Sequence, residues 1–143
     1  ALPLKGLRVL DCGCGTGILG IAASMLGASE VTGYDIDEWS VRNTLHNARL
    51  NNVANVNALL GDASVIKTIG GLFDLVLANI NRNILLNDMA AMRGKMGHGA
   101  VLILSGFYDD DIPLLVAEAK RLGLGLMRQK GKGDWRCLVF KAL

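Results

Sequence analysis

The sequence predicts a doubly wound α/β fold with seven strands in a mostly parallel sheet. Three observations carry that expectation. Short β-rich runs alternate with helical patterns from one end of the chain to the other, and most of those runs are continuously apolar, as in parallel strands covered on both faces. A glycine-rich turn, DCGCGTGILG (residues 11–20), follows the first run, where Rossmann-like folds hold their ligands.

The first strand is LRVLDC (7–12), and the helix after it runs from Thr16 to Leu26, stopped by Gly27 as a favourable residue just past a helix end. EVTGYD (30–35) is the second strand. The following helix, Glu38 to Asn51, places Val41, Leu45 and Ala48 on one face and Arg42 and Arg49 elsewhere. NVNALLG (55–61) and FDLVLANI (73–80) are the third and fourth strands, followed by a helix from Asn83 to Lys95. AVLILSG (100–106) precedes a last helix from Asp109 to Leu122, with Pro113 in its first turns, where proline is tolerated. LGLGLMRQ (122–129) and DWRCLVFKA (134–142), separated by KGKG, then read as an antiparallel pair ending the sheet.

At 143 residues the chain has the size of one domain, and no linker, repeat or low-complexity segment divides it. Its 51% hydrophobic composition prompts a search for a membrane span, but the longest apolar stretch, ILGIAASMLGA, is too short and interrupted by small polar residues. Fifteen basic against thirteen acidic residues, with no long basic run, give no sign of nucleic-acid binding. The three cysteines, Cys12, Cys14 and Cys137, are an odd number without zinc spacing, so reduced thiols in a cytoplasmic protein and no metal site are expected.

The glycine loop fits two patterns. Gly15, Gly17 and Gly20 satisfy G-x-G-x-x-G, with Asp35 at the separation of a ribose-binding acid, which would suit a nicotinamide dinucleotide. Read earlier, the motif is Asp11-x-Gly13-x-Gly15-x-Gly17. A pyrophosphate at a helix N-terminus wants N–H groups and is repelled by a carboxylate. S-adenosylmethionine carries an ammonium and a sulfonium, which an aspartate favours. Polar residues end the next three strands as well: Asp35, where an acid can accept ribose hydroxyls; Asp62, placed to accept an adenine amine; and Asn79. Ile36 offers an apolar surface for the adenine ring. A polar residue at one strand end is ordinary punctuation, but four on the ligand-binding edge point to a site. Asp37 competes with Asp35 for the ribose, since strand ends are uncertain by a residue or two.

DCGCGTG, GYDIDE, HNARLNN, GDA, FDLVLANI and LSGF together resemble the core of class I S-adenosylmethionine methyltransferases, and more narrowly the PrmA family of ribosomal protein methyltransferases. The resemblance runs over nearly the whole chain. LANI and LSGF are its more particular parts. It implies a class I methyltransferase fold in which Asp11, Gly13, Gly15 and Gly17 contact the methionine part of the cofactor, Asp35 the ribose, and Ile36, Asp62 and Ala63 the adenine. Asn79 would face the methyl group as the catalytic residue; without the prolines of an Asn-Pro-Pro-Tyr motif, an amine is a better acceptor than a flipped base. The implied partner is a ribosomal protein, methylated on lysine or an N-terminal amine by a monomeric enzyme. It also implies that residues 1–143 form the C-terminal catalytic domain without the family's N-terminal recognition domain, so that cofactor binding survives better than activity. A cofactor-binding module without independent catalysis and an NAD-dependent oxidoreductase are the alternatives.

The remaining residues have plainer readings. His46 and His98 are expected on the solvent side. Trp39 is expected to pack against the sheet rather than cover adenine, and Asp109 to Asp111 to cap a helix. Phe107 and Tyr108 suit an entrance or the core equally, and Lys130, Lys132 and Arg136 suit a solvated turn.

Overall fold

The computed structural model describes residues 4–143. Its elements in chain order are β1 (Arg8–Cys12), α1 (Ile18–Met25), β2 (Glu30–Asp35), α2 (Glu38–Leu50), β3 (Val56–Leu60), a 3-10 helix (Ala63–Thr68), β4 (Phe73–Asn79), α3 (Arg82–Arg93) and β5 (Met96–Ser105). A short 3-10 turn (Asp109–Asp111), α4 (Ile112–Arg121), β6 (Leu124–Lys132) and β7 (Trp135–Ala142) follow. The strands form one sheet in the order β3-β2-β1-β4-β5-β7-β6. The first five are parallel, and β7 lies antiparallel between β5 and β6. The chain winds outward from β1 to β3 and then crosses back to β4. That reversal opens a crevice at the carboxyl ends of β1 and β4, where ligands bind in such sheets.

Apolar strands and amphipathic helices bury each other on both sides. Phe73, Leu102, Leu104, Phe140 and Leu138 pack with Ile66 of the 3-10 helix, Leu85, Met89 and Met92 of α3, and Leu115 of α4. Val9, Val31, Leu75 and Val101 pack with Ala23 of α1 on the opposite face. Asp37 and Asn81 cap α2 and α3 by accepting the backbone N–H groups of Trp39 and Ile84.

Several expectations are corrected. The sheet is not evenly covered: α1 and α2 pack chiefly over β1, β2 and β3, leaving Leu77, Ile103 and Val139, neighbours in register across β4, β5 and β7, only half-buried. The connection from β3 to β4 holds a 3-10 helix where none is expected. β5 starts at Met96 rather than Ala100, and β6 runs through most of KGKG, so the hairpin turns at Gly133 and Asp134. Trp39 is 67% exposed because it lies on the outer face of the first turn of α2. Phe107 enters the core while Tyr108 stays in solvent. The acidic run forms a 3-10 turn in which Asp111 accepts the Tyr108 amide and pairs with Arg82, while Asp109 takes the Arg136 guanidinium. Arg136 is therefore bound rather than free. Among the described residues the three cysteines are free and buried, no His/Cys/Asp/Glu cluster could hold a metal, and no helix is long and apolar enough to cross a membrane.

Candidate cofactor site

The loop between β1 and α1 is shaped by left-handed backbone at Gly13, Gly15 and Gly17, with φ of 66°, 56° and 84°. At Gly17 the restriction is double, because a Cβ would also lie 2.8 Å from Thr44 Cγ2 of α2. From the other side α2 fixes the loop: Thr44 Oγ1 donates to the Gly15 carbonyl at 2.9 Å and Asn47 Nδ2 to the Thr16 carbonyl at 2.8 Å. Thr44 and Asn47 were not among the expected site residues, although Asn47 stands inside HNARLNN. Burial pushes the Cys14 thiol up to about 11, so it is protonated near neutral pH and fills space.

Asp35 ties the loop to β2. Its Oδ2 accepts the Gly15 N–H at 3.0 Å and its Oδ1 the Asp37 N–H at 2.9 Å. Asp37 points elsewhere: its carboxylate accepts the Trp39 amide and the Ser40 hydroxyl and caps α2. The two competing acids thus have separate surroundings.

A cavity of about 540 Å³ opens beside this loop, lined by Gly13, Tyr34, Asp35, Ile36, Gly61, Asp62, Ala63, Ile80, Ile84, Asn87 and Asp88. Five of the expected residues, Gly13, Asp35, Ile36, Asp62 and Ala63, converge here from three strand ends. Ile36 is 75% exposed, an apolar side chain presented at the mouth. Asp62 Oδ1 accepts the Ser64 hydroxyl at 2.6 Å and its amide at 2.9 Å, and these bonds hold its carboxyl below the usual carboxylate range. Gly61 and Tyr34 stand inside GDA and GYDIDE, whereas Ile84, Asn87 and Asp88 come from α3. Their i, i+3, i+4 spacing on a helix after the fourth strand is the signal that could have found them.

Asp11, Gly15, Gly17 and Asn79 do not line the cavity. Asp11 is 3% exposed, beneath the start of α1. Burial pushes its carboxyl up to about 7, against the opposing pull of the Gly20 backbone N–H, and the charge of Asp35 adds to the rise. The positive end of α1 thus already faces an acid. Asn79, at the exposed end of β4, pairs in register with Ser105, and the following Ile80 N–H donates to the Ser105 carbonyl at 3.0 Å.

The family model for ribosomal protein L11 methyltransferase (PrmA) matches residues 2–142. The chain belongs to that family. Ribosomal protein L11 methyltransferases of Porphyromonas gingivalis and Bacteroides fragilis are 52% and 48% identical to it over 139 and 137 residues. These matches take in 97% and 96% of the chain but 48% and 49% of the relatives, so the chain spans about half the length of the curated relatives it matches. The crystal structure of a ribosomal protein L11 methylase from Lactobacillus delbrueckii subsp. bulgaricus superposes with a TM-score of 0.88 at 30% identity, covering 95% of this chain and 70% of that one. At 23% identity, magnesium protoporphyrin IX methyltransferase from Synechocystis, covering 98% of this chain and 72% of its own, shares the fold with a TM-score of 0.76. The PrmA family and the class I methyltransferase fold read from the sequence are thereby borne out.

Proposed function

We propose that this chain binds S-adenosylmethionine in the cavity at the β1/β4 crevice and transfers its methyl group to an amino group, on lysine or at the N-terminus, of a ribosomal protein in the cytoplasm. The observation that carries the reading is the convergence of Gly13, Asp35, Ile36, Asp62 and Ala63 on one cavity in a member of this family. The donor set fits the cofactor. Asp35, fixed by two backbone N–H groups, has lone pairs left for ribose hydroxyls; Ile36 and Ile80 offer apolar walls for a flat ring; Asp62 accepts at the ring's amino edge. Asp11, tucked against α1, makes no contact with the cavity, and with its carboxyl pushed up to about 7 it carries only part of a charge near neutral pH. It occupies the helix end a dinucleotide's pyrophosphate would need, which counts against the G-x-G-x-x-G reading.

When bound, the cofactor supplies an electrophilic methyl on a sulfonium. The chain's part is placement. Asn79 Oδ1 accepts an N–H of a neutral amine and turns its lone pair toward the methyl. No strong acid or base is needed at the transfer itself.

Calorimetric titration of this chain with S-adenosylhomocysteine and, separately, NAD tests the binding. Saturation by the former alone is expected; saturation by NAD alone would overturn the reading. Incubation with labelled S-adenosylmethionine and ribosomal protein then separates a complete catalyst from a module that binds without transferring.

A further inference from the structure

Tyr34 is 3% exposed and lines the cavity, and its hydroxyl is the one buried side-chain oxygen or nitrogen among the described residues without a hydrogen-bond partner. Native chains rarely leave such a group unpaired, and one set in a cavity wall has a partner to gain from a ligand. Cys12, in register with Tyr34 on the adjacent strand, offers only a thiol, a weak acceptor. Burial first, and then the charges of Asp88 of α3 and of Asp11, keep the Tyr34 phenol protonated and able to donate; of these two acids Asp88 also lines the cavity.

Asp88 shares its surroundings with Asp62. Both line the main cavity and also an adjoining cleft of about 290 Å³ between α3 and the 3-10 helix. Asn87 Nδ2 donates to Asp88 Oδ1 at 2.9 Å, which engages one of its two oxygens. Asp62 and Asp88 therefore border both spaces, which Asp35 does not, beside the apolar Ile36, Ile80, Ile84 and Ala63 of the main cavity and with Lys67 in the adjoining cleft. A flat heterocycle with an exocyclic amine matches this arrangement, since the amine has two hydrogens and each carboxylate accepts one. A carbonyl at the same ring position would meet two acceptors and be rejected.

We propose that Asp88 takes the second N–H of the ligand's exocyclic amine, with Tyr34, unpaired in the unliganded chain, as a positioning residue whose hydroxyl gains Asp88 as its acceptor once the ligand is seated, so that this pair sets the preference for adenine over its oxo counterpart. The inference rests on the cofactor reading above and deepens it.

The test is calorimetric titration of the wild-type chain, Asp88→Asn and Tyr34→Phe with S-adenosylhomocysteine and S-inosylhomocysteine, with melting temperatures of the unliganded proteins. The wild type is expected to prefer the amine-bearing ligand, and Asp88→Asn to lose about tenfold in affinity for it and narrow the preference. Tyr34→Phe should narrow it less and melt at or above the wild-type temperature, because it deletes an unpaired hydroxyl; a merely structural tyrosine would change melting alone. Wild-type affinity and preference in Asp88→Asn would overturn the proposal and leave the cofactor reading standing. A wild-type preference in Tyr34→Phe would overturn the role of Tyr34. Failure of the wild type to bind either ligand would overturn the cofactor reading and this proposal with it.

Discussion

Asn79 and Gly106 are fitted to each other: a Cβ on Gly106 would stand 2.7 Å from Asn79 Oδ1 and 2.8 Å from the Ile80 amide nitrogen, and Gly106 holds φ at +88°. The turn after β5 therefore lies directly against the end of β4. This contact joins LANI to LSGF, the two segments that carried the narrower family resemblance.

Gly106→Ala combines a clash with a left-handed backbone and is expected to cost about 1–3 kcal/mol while displacing the Asn79 amide. Denaturant melts give the stability. Methyl transfer should fall further than S-adenosylhomocysteine affinity, because the strain lies at Asn79 rather than at Asp35; an equal loss in both would contradict the placement of Asn79 at the methyl.

Asp35→Ala and Asp37→Ala separate the two acids. Loss of Asp35 removes the acceptor for the Gly15 and Asp37 amides together with the proposed ribose contact, so affinity should drop at least about tenfold for a stability cost of about 1–2 kcal/mol. Loss of Asp37 removes the cap of α2 and should cost about 1 kcal/mol with affinity nearly unchanged. Titration of both variants with S-adenosylhomocysteine decides between them.

Asp11 makes stability pH-dependent. The folded chain holds this proton up to about pH 7, whereas the unfolded chain releases it near 3.8, so between those values the folded state binds more protons. Its contribution therefore lowers stability as pH rises through that window and is constant above it. Asp11→Asn should gain on the wild type between pH 4 and pH 7, by an amount on the order of 1–4 kcal/mol. Urea midpoints at pH 5 and pH 8 measure the difference; a gap that shrinks toward pH 8 would contradict it.

Thr44→Val keeps the shape of a buried side chain but deletes the hydrogen bond to the Gly15 carbonyl. A stability loss of about 1 kcal/mol and weaker cofactor binding are expected, because the loop loses an anchor on α2. Unchanged melting and affinity would show that Asn47 and Asp35 hold the loop without this bond.

Much of this architecture is written locally. The apolar runs, their alternation with helices, Gly27 after α1 and the closing hairpin follow from hydrophobic period and backbone preference, properties of neighbouring residues. The convergence of Asp35, Ile36 and Asp62 was legible for a related reason, since parallel strands bring their carboxyl ends to one edge of a sheet. What stayed hidden depends on groups distant in sequence. Asp35 and Asp37 were indistinguishable until the Gly15 amide approached one of them and the first turn of α2 claimed the other. Asp11 reads as a ligand contact along the chain, yet folding turns it under α1, where burial rather than a ligand governs its proton. Asp88 lies outside every motif, and only the packing of α3 across the crevice brings it to the same cavity as Tyr34 of GYDIDE. Family, layers and the edge that carries the site can be read from the order of residues along the chain; which carboxylates face the cavity cannot, because exposure and pairing are properties of packed surfaces and not of spacing.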